Sequence, residues 1–426
     1  MPGERALRPP CQGIVMTGDA RNPGRLLVFF DEPYFRIERG GQEVITTNRA
    51  FWLFIRALAP AFDHVYFLAR IFPEPKEAPF ACTPDPRFSL WELPYYESLY
   101  SLGGLLRGMP AQLRVFWTAI GACDAVLLGI PHPACLILWA MARLRRRPVI
   151  FLDRQDLIAR AQLRAPGAAR RAIVFGARAL VRAFVLLSRN TLTFAVGGEM
   201  HRRYARPGAP AHTLLISLVR EKDLDGVAAR LLPGTEVPRR LLWVGRLDPD
   251  KGLEVLLDAF RMVNGRHPDQ EWHLDLIGTG LIEKQITQRA TDLGLARSVH
   301  LHGFVPFGPE LNEHYDRATA YALPSNESEG FPQVLIEAMA RALPVIATAV
   351  AGIPYALHDG ENALLLPPRD PHALAAAIER MLSDPALYRR CSENGLRFAR
   401  EHTLEAQTKR FLQEALPYIE RGRGPA

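Results

Sequence analysis

Short apolar runs alternate with stretches in which apolar residues recur every three or four positions, the signature of strands interleaved with helices. In the first half the runs Leu26–Phe30, His64–Leu68, Asp124–Leu128, Pro148–Leu152, Thr191–Val196 and Thr213–Leu218 predict strands. Helices are predicted over Thr47–Leu58 and near Cys135–Arg143, and a polar, glycine-containing loop over Asp31–Gly41. Phe72–Gly108 is rich in proline and aromatic residues without a period and predicts an irregular insertion. Residues 219–239 are charged, carry Pro and Gly, and predict a linker. A second series then begins. Its predicted strands are Leu241–Val244, Trp272–Ile277, Val299–Leu301, Ala318–Leu323, Pro344–Thr348 and Ala363–Leu366. Its predicted helices cover 252–264, 281–293, 331–342, 372–383 and 404–417, with Pro332 suited to a first helical turn. The class is therefore α/β, with two parallel-sheet domains facing each other across a cleft.

The length of 426 residues suits two such domains, and 48% hydrophobic against 23% charged residues is ordinary for globular structure. The five cysteines (Cys11, Cys82, Cys123, Cys135, Cys391) are scattered and odd in number, which argues against a disulfide framework or structural zinc and for a reducing compartment. No signal peptide or transmembrane helix is expected, since the start lacks an apolar core and the longest apolar stretches are broken by Pro or Arg. Charge is uneven. Residues 1–220 hold 29 Lys and Arg against 16 Asp and Glu, a net +13, while the remainder hold 23 against 29, a net −6. The excess is densest in 143–220, with 16 basic and three acidic residues. Such a half suits an anionic membrane or a phosphorylated acceptor, or is simply an Arg-rich solvated face; no nucleic-acid recognition motif accompanies it.

Candidate chemistry concentrates in the second half. In SNESEGFPQVLIEAMA (325–340) a polar loop presents Glu329 and Gly330, and a helix begins near Phe331 or Pro332. The first amides of that helix lack intrahelical acceptors and stand at its positive end, a ready site for a diphosphate. At about 1.5 Å per residue Glu329 and Glu337 lie about 10–12 Å apart. That is too far for a carboxylate dyad, but it suits one grip on sugar hydroxyls and another on ribose hydroxyls. A capping glutamate and a surface glutamate would explain either residue alone. In LLWVGRLDPDKG (241–252) a strand delivers Gly245 and Arg246 into a loop that continues to Lys251 and Gly252. A planar donor fork and a point charge together match a pyrophosphate. LDLIGTG (274–280) and HGFVP (302–306) are weaker signals, with Gly278 and Gly280 read as turn glycines and only backbone at 302–306 available to a base.

Together these segments resemble the donor domain of family 4 glycosyltransferases, retaining enzymes of the GT-B architecture with two Rossmann-like domains. The resemblance covers most of 240–383 and rests on the E-x7-E pair with the upstream G-R-L-x-x-x-K-G. It implies Gly245, Arg246 and Lys251 at the diphosphate and Gly278 beside it. It implies Glu329 at the sugar with the amides of Gly330 and Phe331, Glu337 on the ribose, and Phe304 and Val305 by the base. Glu329, Arg246 and Lys251 become the candidate catalytic residues. The family uses no bound metal and no cofactor beyond its nucleotide-diphosphate sugar (UDP or GDP). Gly40 and Gly41 match its paired glycines facing the donor phosphates. Elsewhere the first half departs: Gln155 stands where many members have a histidine, ISLV (216–219) replaces a P-N-G, and Gly197, Gly198 and Glu199 occupy a usual S-E pair. His132 and His201 are further candidates, read first as packing residues.

The expected division is an acceptor-side domain over 1–218, a linker over 219–239, a donor domain over 240–403 and a C-terminal helix over 404–426 packing back on the first domain. The expected activity is transfer of a hexose-type sugar to a glycan or lipid-linked acceptor in cell-surface polysaccharide or glycolipid assembly. The expected location is cytoplasmic, peripheral on the inner membrane face. A catalytically impaired nucleotide-sugar-binding subunit is the alternative. A dinucleotide oxidoreductase is disfavoured, because no G-x-G-x-x-G follows the first strand.

Overall fold

A computed structural model describes residues 24–47, 49, 51–76, 78, 80–82, 85–95, 102–154, 156–164, 167, 170–234, 237–326 and 331–423. The first half contributes strands β1 (Arg25–Arg39), β2 (Gln42–Thr47), β3 (His64–Phe72), β4 (Phe80–Ala81), β5 (Phe88–Glu92), β6 (Ala125–Ile130), β7 (Val149–Asp153), β8 (Leu192–Val196) and β9 (Ala211–Leu214). Its helices are α1 (Phe51–Leu58), α2 (Leu102–Ala122), α3 (Pro133–Leu144), α4 (Leu157–Arg164), α5 (Arg170–Leu187) and α6 (Gly198–Tyr204). The second half holds β10 (Arg239–Val244), β11 (Trp272–Ile277), β12 (Val299–Gly303), β13 (Ala320–Leu323), β14 (Val345–Thr348) and β15 (Leu364–Leu366). It adds α7 (Leu253–Arg266), α8 (Glu283–Asp292), α9 (Pro309–Arg317), α10 (Gln333–Ala340), α11 (Pro371–Ser383), α12 (Pro385–Glu401) and α13 (Leu404–Arg423).

The second sheet runs β12-β11-β10-β13-β14-β15, all parallel. Its central strands are covered on both faces and read as largely apolar runs, with Leu241, Leu242 and Trp243 fully buried. Strand order reverses between β10 and β13. The loops leaving their carboxyl ends therefore diverge and open a crevice there, the position where open α/β sheets take ligands.

The first sheet runs β4-β2-β1-β6-β7-β8-β9, with β3 pairing β1 and β5. Two expectations need correction here. Asp31–Gly41 is strand and turn: after a register shift between Phe29 and Pro33, β1 continues and pairs antiparallel with β2. The polar residues fit because this outer half of β1 alternates between a covered and a solvated face. Gly40 and Gly41, at φ 61° and 76°, form the hairpin turn, which requires positive φ at both positions. Phe72–Gly108 is also not wholly irregular, since it holds β4, β5 and the start of α2.

Within the expected linker, the segment from Val219 to Arg230 is anchored to the second domain. Val219 and Leu224 are buried in the second core, and the guanidinium of Arg230 donates to the carbonyls of Tyr315, Ala318 and Arg341 at 2.8–2.9 Å. The chain returns at α13, whose Phe411, Ala415 and Ile419 are fully buried in the first core. Outgoing and returning segments lie side by side, joined by Leu404 N–H to Val219 O (2.7 Å) and Leu215 N–H to Gln407 Oε1 (2.9 Å). Cys82, Cys123, Cys135 and Cys391 are buried free thiols; Cys11 lies outside the described residues.

Candidate nucleotide-sugar site

Loops from β10, β11 and β13 meet at the switch point, and glycine makes the meeting possible. A Cβ on Gly252, which sits at φ 68°, would lie 1.9 Å from Pro324 O. One on Gly278, at φ 133°, would lie 1.8 Å from Gly245 O. Gly280 presses similarly on the Leu247 backbone. The loops are also bonded: Asn326 N–H donates to Asp250 O at 2.8 Å, and Gly245 N–H to Ile277 O at 2.9 Å. The Arg246–Lys251 loop is thus held against the segment that enters α10. Gly278 and Gly280 act here as spacers between backbones.

Arg246 projects, with 64% of its side chain exposed, and pairs with Asp248 at 3.0 Å. Lys251 is largely buried and pairs with Asp250 at 3.2 Å. Burial pushes the Lys251 ammonium below its usual range, opposed by Asp250. Each cation therefore carries its own aspartate, a role for the acids of DPDK that their spacing alone does not reveal. The start of α10 has Pro332 at the N-cap and no side-chain cap, leaving its first amides open to a ligand. Ser325 Oγ and Asn326 Oδ1, just upstream, are buried without a hydrogen-bond partner. Two orphaned polar atoms beside an uncapped helix terminus suit a polar ligand. Glu329 and Gly330 lie outside the described residues; Phe331 is buried in the second core.

Glu337 is not a surface residue. It is 7% exposed on the inward side of α10, and Tyr315 Oη donates to its Oε2 at 3.0 Å. Burial pushes its carboxyl up to about 7, partly offset by the Tyr315 bond. Tyr315 and Asn326 have no motif of their own and become visible only through these contacts. Phe304, 65% exposed, follows β12, while Val305 packs partly against the core.

The facing domain contributes a charged rim at the carboxyl ends of β1, β3, β6 and β7. Asp31 pairs with Arg70 (3.0 Å) and approaches His132 (3.4 Å). Glu32, 6% exposed, accepts from Arg154 at 2.7 Å, and the Arg154 guanidinium lies 3.7 Å over the Phe51 ring. Arg49 is within electrostatic reach of Glu32, Arg154 and, from the other domain, Arg246. The two sheets thus present charged loops to one cleft. His132 caps α3 through Nδ1, and the His201 ring bonds to Ala211 O, so both have structural work. Gln155 lies outside the described residues, and Gly41 forms the β1–β2 turn. Among the described residues no group of three or more His, Cys, Asp or Glu could hold a metal ion.

Residues 234–398 match the family described as Glycosyl transferases group 1. Within that segment lie Arg246, Lys251, Gly278, Phe304 and both glutamates. Relatives include the exopolysaccharide phosphotransferase of Streptomyces coelicolor, 36% identical over 184 residues, which are 42% of this chain and 18% of that protein. Another is the amylovoran biosynthesis glycosyltransferase AmsK of Erwinia amylovora, 30% identical over 201 residues, 46% of this chain and 48% of the relative. The chain thus spans about half or less of the length of these relatives. Over nearly the whole chain the fold is that of Anabaena HepE, whose structure was determined with UDP and glucose. The TM-score is 0.60 at 18% identity, covering 91% of this chain and 98% of that one. Two parallel-sheet domains in this relation are the GT-B architecture.

Proposed function

We propose that this protein is a retaining glycosyltransferase that moves a hexose-type sugar from a UDP or GDP donor to a hydroxyl of a glycan or lipid-linked acceptor. The observation that carries the reading is the bonded pair of loops at the β10–β13 switch point. There the loop carrying Arg246 and Lys251 is bonded to the 324–326 segment, which leads toward the uncapped start of α10. Binding of UDP by HepE and the exopolysaccharide context of the relatives support it.

In this reading the diphosphate lies at the α10 terminus. Arg246 turns from Asp248 to the incoming phosphate, and Lys251 supplies a second positive charge as the leaving group departs. Glu329 holds sugar hydroxyls, Glu337 takes the ribose, and Phe304 and Val305 flank the base. The acceptor hydroxyl attacks the face the diphosphate leaves, and a donor phosphate oxygen takes its proton. Positioning and charge stabilisation do the work, without a metal. The place of action is the inner face of a bacterial membrane, in assembly of a surface polysaccharide or glycolipid.

A thermal-shift panel of nucleotide diphosphates and their sugars tests the donor, because ligand binding raises the melting temperature directly. UDP or GDP should stabilise and nicotinamide dinucleotides should not. Arg246→Ala, Lys251→Ala and Glu329→Ala should each lower transfer by about 10²–10³-fold while unfolding at the wild-type temperature. Normal turnover by the Glu329 variant would remove the site assignment, and nucleotide binding without any transfer would favour the partner-subunit alternative.

A further inference from the structure

The connection from β7 to β8 carries a surface that the donor site does not explain. From Leu157 to Gly198 there is no Asp or Glu, while Arg160, Arg164, Arg170, Arg171, Arg178, Arg182 and Arg189 all fall within it. On α5 the buried residues Ala177, Val181 and Phe184 form one stripe, and Phe184 packs edge-on against Phe151 of β7. The opposite stripe is Arg171, Phe175, Arg178, Arg182 and Leu186, spaced three or four apart and therefore on one face. All five are exposed, Phe175 by 72% and Leu186 by 55%. Among the described residues no carboxylate pairs with Arg171, Arg178 or Arg182.

We infer that the outward face of α5 is a docking surface for an anionic lipid bilayer. The charge and the apolar residues point to the same occupant. Phosphate headgroups neutralise unpaired guanidinium groups at an interface, and Arg stems lie along the apolar surface while their heads reach the phosphates. Phe175 and Leu186 stand among those arginines and enter the boundary between headgroups and acyl chains. A nucleic acid would satisfy the arginines but leave both apolar side chains in water. The contact proposed is one of lying on the surface, as for an interfacial amphipathic helix. Topology places this contact usefully. The α4–α5 hairpin starts where β7 ends at Asp153, the same end of the sheet that presents Glu32 and Arg154 to the cleft. An acceptor held in the bilayer would therefore reach the cleft rim without leaving it. This step rests on the proposed transferase function, with a lipid-linked acceptor.

The test is cosedimentation of the purified full chain with vesicles of phosphatidylcholine, with and without added phosphatidylglycerol, at low and high salt. Wild type should sediment with the anionic vesicles at low salt and be released from them by high salt. Arg178→Glu/Arg182→Glu and Phe175→Ser/Leu186→Ser should each reduce that partition about tenfold. Both variants should keep the wild-type melting temperature and nucleotide shift. Equal binding to pure phosphatidylcholine, no binding to either vesicle, or undiminished binding by both variants would overturn the assignment. So would salt-sensitive retention on DNA with no vesicle binding. Vesicle binding needs neither donor nor turnover, so its failure leaves the nucleotide panel as an independent test of the transferase function. If the variants fail to fold, the wild-type preference between the two vesicles still decides.

Discussion

Glu337 shows how a residue can be found by its spacing and yet be misjudged in its environment. The E-x7-E pattern marks it, but only the fold buries it against Tyr315. With its carboxyl pushed to about 7 from 4.5, the folded state keeps a proton that the unfolded chain gives up. Stability from this group is fully present below about pH 4.5 and is lost as pH rises toward 7, by about 3 kcal/mol at 1.36 kcal/mol per unit. Glu337→Gln should therefore flatten the decline of melting temperature between pH 4.5 and 7 and be more stable than wild type at pH 8. Parallel curves for the two proteins would show that this carboxyl is not what titrates. Donor affinity of the variant should still fall, because an amide grips ribose hydroxyls less well than a carboxylate.

At the scale of elements, the apolar runs locate all six strands of the second sheet, because parallel strands covered on both faces are mostly apolar. They are less informative where faces differ. The outer half of β1 reads as a loop because its polar residues face solvent in a hairpin. The 17-residue helix α12, the nine-residue α9 and the 18-residue α5 carry no motif and are not among the predicted helices. Gly198 is another case: it stands out in sequence only as a departure from the family, and the structure explains it. Its missing side chain lets Tyr355, from the loop after β14, pack against α6; a Cβ there would meet Tyr355 Cβ at 2.5 Å. Arg202 of the same helix lies 4.5 Å over the Tyr355 ring and bonds its hydroxyl. Gly198→Ala should push the domains apart on this side, raising the KM for donor by about 3–10-fold, of order 1 kcal/mol. Tyr355→Ala in the same chain should relieve the clash, and non-additivity of the pair is the measurement that checks it.

On the scale of the whole molecule, α13 returns from the second domain to complete the core of the first. Phe411 is fully buried between Phe54 and Phe194, at ring separations of 5.7 and 4.6 Å, some 200 to 350 residues away in the chain. Phe411→Ala should cost about 3–5 kcal/mol. The loss should appear in the first domain: proteolysis should cut before residue 218 and leave the 240–400 region intact. Equal cutting in both regions would mean that the helix serves the second domain instead.

The sequence by itself determined the class of fold and the donor motifs, because both depend on local pattern: apolar period for strands and helices, glycine and charge for loops at strand ends. Tertiary structure decided everything that depends on which distant groups meet. It buried Glu337 against Tyr315 and joined Glu32 to Arg154 at the cleft rim. These are matters of burial and charge at a distance, and no spacing along the chain encodes them.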